Sequence, residues 1–113
     1  MNINFSGYNE NVVTFAVDDN STVLMGTPVL MKDSQTVAAC NENDNMIGVA
    51  VNVRNGYAAV QLTGYIEMPT SDSSIEVGYQ TLAVGENGEV KTSQSGREYL
   101  VVYTADGIVG FIL

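Results

Sequence analysis

Thirteen carboxylates and one thiol are the groups in this 113-residue chain whose types could do chemistry, and no histidine accompanies them. General acid–base catalysis needs a group titrating near the working pH, and a nucleophilic thiol needs a base beside it. Cys40 follows Val37-Ala38-Ala39, so it is expected to pack as a small hydrophobe. Asp18-Asp19 falls in a turn-like stretch, and Glu86 and Glu89 flank a hairpin. Neighbouring side chains of a strand point to opposite faces, so acids spaced this way do not converge there. A glycosidase needs two carboxylates held across a sugar, and solvated turn acids are the expectation instead. Asn41-Glu42-Asn43-Asp44-Asn45 gathers oxygen ligands but lacks the Gly and the distal Glu of a calcium loop, so it reads as a polar loop. Gly85-Glu86-Asn87-Gly88 has neither the lysine nor the following helix of a phosphate loop. The expectation is a protein that is not an enzyme and holds no metal or cofactor.

Charge narrows the partners. Lys32, Arg54, Lys91 and Arg97 are the only basic residues, and the formal net charge is -9. Nucleic-acid binding relies on clustered Lys and Arg, and anionic membrane surfaces attract the same residues, so neither partner is expected. The acidity confers solubility or suits a positively charged protein surface. Residues 1–7 show neither a basic region nor an apolar core of a secretory signal. No apolar run approaches the roughly twenty residues that span a bilayer, so a soluble product of a cytoplasm is expected. The single cysteine excludes an intramolecular disulfide. A chain of this length buries roughly 65% of its unfolded surface and can hold a core unaided.

The elements that must position these residues read as strands. Asn55-Gly56, Asn87-Gly88 and Asp106-Gly107 interrupt β-branched and aromatic runs. Such dipeptides favour the type I′ hairpin turn, which needs positive φ at both central residues. Strands are expected over residues 12–17, 36–40, 46–54, 57–68, 80–84, 89–92, 99–104 and 108–113. Residues 22–32 contain Pro28, which cannot donate to a ladder, so that stretch is an edge strand or two pieces joined by a loop. No amphipathic helical period appears; at most a single turn sits near residues 71–75. Residues 1–11 form an Asn-rich arm carrying Phe5 and Tyr8, and residues 12–113 form a single β domain. The fold class is all-β, a compact β-barrel or β-sandwich built from short hairpins.

A faint internal repeat points to two similar halves. Gly26-Thr27-Pro28-Val29-Leu30 resembles Gly78-Tyr79-Gln80-Thr81-Leu82 at a shift of 52. Ile47 and Leu100 match at 53, and Gly56-Tyr57 with Val60 and Leu62 matches Gly107-Ile108 with Phe111 and Leu113 at 51. Neither half could cover its own apolar face, so the two would close into one barrel or face each other; chance similarity among β-rich segments is the rival reading.

One longer pattern carries a family likeness. It comprises Gly26-x-x-Val29, Val37-Ala38, Ile47-Gly48-Val49-Ala50, the run Val60-Gln61-Leu62-Thr63-Gly64-Tyr65-Ile66-Glu67-Met68-Pro69, then Ile75, Gly78, Leu82 and Gly88-Glu89-Val90. In these residues the chain resembles the small phage and prophage capsid decoration (cement) proteins, also called head decoration or head fibre proteins. Leu100-Val101-Val102-Tyr103 departs from a second Ile-Gly-Val-Ala. The resemblance implies a non-enzymatic structural protein of the virion, bound to the exterior of the major capsid protein lattice as a homo-trimer and stabilising it. Many weak contacts repeated over a lattice give avidity without a deep pocket. The six tyrosines suit interfaces and strands alike. Phe5 and Tyr8 are the candidate partner contacts, because no core seems available to them. The alternative function is a carbohydrate- or surface-binding β-sandwich module of a bacterium.

Overall fold

The computed structural model describes residues 10–113. Ten strands follow in chain order: β1 Asn11–Val17, β2 Pro28–Asp33, β3 Thr36–Ala39, β4 Gly48–Arg54, β5 Tyr57–Thr63, β6 Tyr65–Pro69, β7 Gly78–Val84, β8 Val90–Thr92, β9 Arg97–Ala105 and β10 Ile108–Ile112. The first five close into a barrel and the last five form a second sheet. The chain is therefore all-β, as its hairpin dipeptides indicate.

The two halves share one wiring plan. Around the barrel the neighbours run β1-β5-β4-β2-β3, and across the sheet they run β6-β10-β9-β7-β8. Register follows the same plan. Pro28 faces Val49 across β2 and β4, while Tyr79 faces Leu100 across β7 and β9, each partner 51 positions further on. A bulge leaves Val51 unpaired between Ala50 and Asn52, and another leaves Val102 unpaired between Val101 and Tyr103, again 51 apart. Pairing thus makes Val49, rather than Ile47, the counterpart of Leu100. It also shifts residues 26–30 by 51 rather than the 52 that residue similarity suggests.

The three hairpin dipeptides all mark turns but differ in detail. Asn55 and Gly56 have φ of 52° and 81°, the left-handed pair of a type I′ turn. Asn87 and Gly88 are also left-handed, yet the connection is the three-residue 3₁₀ turn Glu86–Gly88, closed by Gly85 N–H to Glu89 O at 2.6 Å. At the third turn only Gly107 has positive φ, so Asp106-Gly107 is not a type I′ turn. Residues 22–27 form no strand, and β2 begins at Pro28, where the missing N–H costs no ladder bond.

The expected single strand over residues 57–68 is two. Gly64, with φ of 96°, breaks it and carries the chain from the barrel into the second sheet. Gln61 secures that corner: its buried side-chain amide donates to the carbonyls of Thr63 (3.1 Å) and Tyr65 (2.9 Å). A buried amide left unbonded would cost several times what each bond returns, so the corner is fixed.

Packing divides into two clusters that share one wall. Val29, Val37, Ala50, Ala58 and Val60 fill the barrel. Ile66, Met68, Leu82, Val84, Val90, Tyr99, Val101, Val109 and Phe111 line the inner face of the second sheet, and Met46 and Val49 reach them from the barrel half. Alternation along β4 explains the split, since Val49 faces one cluster and Ala50 the other. Gly48 lies between them without room for a Cβ, which would run into the backbone carbonyl of Gln61.

Candidate interaction surface

The groups that could do chemistry are taken up by structural contacts where their partners are defined. Cys40 packs against the second cluster, and burial, with Asp44 nearby, pushes its thiol up to about 12. It stays protonated at neutral pH and is a poor nucleophile. The loop at residues 41–45 is a tie between halves. Asn43 N–H donates to Val84 O at 2.8 Å, and Val84 N–H donates to Asp44 O at 3.0 Å. Glu42 pairs with Lys91 at 2.9 Å. Among the described residues no three carboxylates or thiols gather where one metal ion could sit.

The most perturbed carboxylate, Asp72, is a clasp. It accepts hydrogen bonds from Ser74 N–H (2.9 Å) and Oγ (2.5 Å), and from Thr92 N–H (2.9 Å) and Oγ1 (2.7 Å). These bonds hold its carboxyl well below the usual range. Thr70 Oγ1 meanwhile donates to Val90 O at 2.7 Å. Val90 O and Thr92 N–H belong to the edge of β8 that faces away from β7. In the barrel the corresponding edge, that of β3, pairs with β1. In the second sheet two side chains replace that strand. A hollow of about 330 Å³ lies between this loop and the β9–β10 turn; Asp72 and Asp106 are both on its wall, and the Asp72 carboxylate is engaged by its four hydrogen bonds.

The outer face of the second sheet is unlike a solvated face. Tyr79, Leu100, Ile112 and Tyr65 are successive cross-strand partners and form one row. Tyr103, Gly110 and Glu67 form the next, and Ala105, Ile108 and Pro69 the third. Antiparallel sheets with one wet face alternate apolar and polar residues, whereas Leu100-Val101-Val102-Tyr103 and Ile108-Val109-Gly110-Phe111-Ile112 do not. Both faces are apolar over Leu100–Tyr103 of β9 and over β10. The inner face is core; on the outer one Tyr79 is 68% exposed, Tyr103 46% and Ile108 40%. Among these ten residues Glu67 alone is charged, and its carboxylate accepts the Tyr65 hydroxyl at 2.6 Å. Tyr65 lies over Gly110, where any side chain would collide with its ring, and burial followed by that bond raises its hydroxyl pKa. The surface is apolar and aromatic, with the Glu67 carboxylate bonded within it and the exposed Glu98 at its border. It suits a protein contact and offers no acid–base pair.

Phe5 and Tyr8 lie outside the described residues. Of the arm expected over residues 1–11, Asn11 already belongs to β1 and bonds through Nδ2 to Thr63 Oγ1 at 3.0 Å. Reading the sequence for an arm missed the outer face, although the unbroken apolar runs of β9 and β10 were its signal.

No known protein family matches the chain, and no curated protein matches it. A solved structure does: the crystal structure of the head fiber gp8.5 N base in bacteriophage phi29. It aligns with a TM-score of 0.58 over 92% of this chain and 93% of that one, at 19% identity. The likeness is one of fold and extends through both halves.

Proposed function

We propose that this protein is a non-enzymatic structural component of a phage or prophage virion, bound outside the head as a homo-trimer and stabilising the major capsid protein lattice. The observation that carries the reading is the fold, which the phi29 head-fibre base shares across nearly its whole length. The apolar outer face of the second sheet supports it, because an exposed apolar patch of this kind serves association. Such a protein is made in the host cytoplasm and ends on the virion, and it needs neither nucleic acid nor membrane.

Two measurements test this. Sedimentation over a wide concentration range should show a trimer; a strict monomer, free and on heads alike, contradicts that part. Co-sedimentation with purified cognate heads should pull the chain down, and removing residues 1–11 should weaken it. If neither chain binds, the virion reading fails. The exposed Tyr79 and Tyr103 favour one other reading, a saccharide-stacking surface. Tyrosine fluorescence unchanged by polysaccharide while heads bind would eliminate it.

A further inference from the structure

We propose that the exposed tip Leu24-Met25 of one copy seats in the hollow between residues 70–75 and the β9–β10 turn of the next copy. This names the self-contact of the trimer proposed above and rests on that reading. The tip is a rigid projection. Thr27 N–H donates to Leu24 O at 3.0 Å across Gly26, whose φ is 91°, which makes a type II turn with Met25 at its corner. Thr27 Oγ1 accepts Leu24 N–H at 3.1 Å. Gly26 N–H donates to Ala50 O at 2.7 Å, and Ala50 N–H donates to Thr27 O at 2.9 Å, which ties the turn to β4. Held this way, Leu24 is 65% exposed and Met25 73%. A turn already fixed loses little further freedom on binding. The second half has the same tip without the same surface. Aligned on the left-handed Gly26 and Gly78, Val23 and Ile75 are both core residues, and Met25 and Val77 both lie outside. Between them Leu24 stands where the other tip has the exposed Glu76. Glutamate suits a solvated tip; leucine leaves two adjacent apolar side chains bare in the barrel half alone.

The hollow, about 330 Å³, matches that tip in chemistry. Ile75 and Val109 are on its wall, and the polar groups beside them are spent on the chain's own bonds. Thr70 Oγ1 donates to Val90 O, Ser71 Oγ donates to Glu89 Oε1 at 2.6 Å, and Asp72 accepts its four bonds. An apolar occupant therefore strips none of these three of a partner, whereas a polar one finds them engaged. Asp106 on the same wall is exposed. Charge favours this meeting place for two copies. Each carries a formal net charge of -9, so copies repel one another broadly and meet best through uncharged segments, and residues 22–27 carry no charge. The tip belongs to the barrel half and the hollow to the second half. Each copy then offers its tip to one neighbour and its hollow to another, a heterologous contact that closes into a ring when the rotation allows.

Two experiments on the purified full chain decide this. The first is sedimentation of the Leu24→Asp, Met25→Asp variant and of Thr104→Trp, which fills the hollow from its own wall. Each should need at least about tenfold more protein than wild type to form trimers, with an unchanged circular dichroism spectrum. Wild-type assembly by either variant overturns the contact and leaves the trimer standing. In the second, Met25→Cys chains are mixed with Ser73→Cys chains and mildly oxidised; both positions are exposed, and Ser73 lines the hollow. A disulfide should join one chain of each kind, while Cys40, half-buried and protonated, does not compete. Pairing of Met25→Cys chains with each other makes the contact symmetric and overturns the proposal, as does no disulfide. A chain carrying both substitutions should close into covalent trimers. A ladder running beyond three copies keeps the contact and overturns the trimer, so the two proposals can fail separately.

Discussion

The barrel and the second sheet use the same strand order and solve the same edge problem differently. Where β1 lies beside β3, Ala16 and Val17 pair with Thr36 and Val37 and the barrel shuts. Where β6 would lie beside β8, no strand arrives among the described residues. Thr70 and Asp72 meet Val90 O and Thr92 N–H instead. An exposed row of unpaired backbone groups invites aggregation. A charged side chain that accepts the edge N–H removes that template without adding a strand. The difference also sets what each half displays. Curled on itself, the barrel has its interior filled, and its half of the chain also exposes apolar side chains, Val12-Val13, Leu24-Met25, Met31 and Tyr57. The second sheet has one face on the core and an outer face on which Tyr79, Tyr103 and Ile108 are exposed.

The largest effects should come from the second cluster and the barrel cluster. Phe111 is fully buried with its ring tilted against that of Tyr99, centroids 5.1 Å apart, so Phe111→Ala should cost about 3–5 kcal/mol. Its barrel counterpart, Val60→Ala, removes less volume and should cost about 2 kcal/mol. Urea denaturation reads both. Because Val49 and Ala50 serve the two clusters from one strand, each variant should keep a single transition. Separate transitions would break the idea of one cooperative unit.

The clasp comes next. Asp72→Ala should cost about 1–2 kcal/mol, since hydrogen bonds to a charged but partly solvated group are lost. The folded carboxyl titrates below its unfolded value. Its contribution is therefore full above about pH 4, the unfolded value, and is lost as pH falls towards the folded one. Wild type should thus lose stability faster than Asp72→Asn as acid is added; parallel curves would show that the clasp does not hold the edge.

Turns give the smallest effects. Gly56→Val forces a β-branched residue into positive φ and should cost about 1–2 kcal/mol, read as a lowered Tm. Asn55 shares that conformation while Asp106 does not, so Asn55→Ala should cost up to about 1 kcal/mol and Asp106→Ala close to nothing. Equal costs would mean that the two turns are alike after all.

Strand identities and turn positions were readable because alternation and Asn-Gly pairs are local signals. The break at Gly64 was not, because a glycine inside an apolar run fits a continuous strand, and only the Gln61 bonds reveal the corner. Asp72 looked like any loop acid, since its partner Thr92 is 20 positions away. The repeat was visible as similarity, but its common shift of 51 emerges only from strand pairing and the two bulges. Attention to Phe5 and Tyr8 drew the eye from β9 and β10, whose side chains read as core on either face until a sheet leaves one face bare.

The central claim is that the apolar outer face of the second sheet, and not the barrel exterior, joins this protein to a head. Co-sedimentation of purified cognate heads with the Tyr103→Glu, Ile108→Glu variant, beside Tyr57→Glu on the barrel, tests it most directly. The account predicts that the sheet variant loses binding about a hundredfold or more while Tyr57→Glu binds as wild type does. Wild-type binding by the sheet variant, with loss in Tyr57→Glu, would contradict it.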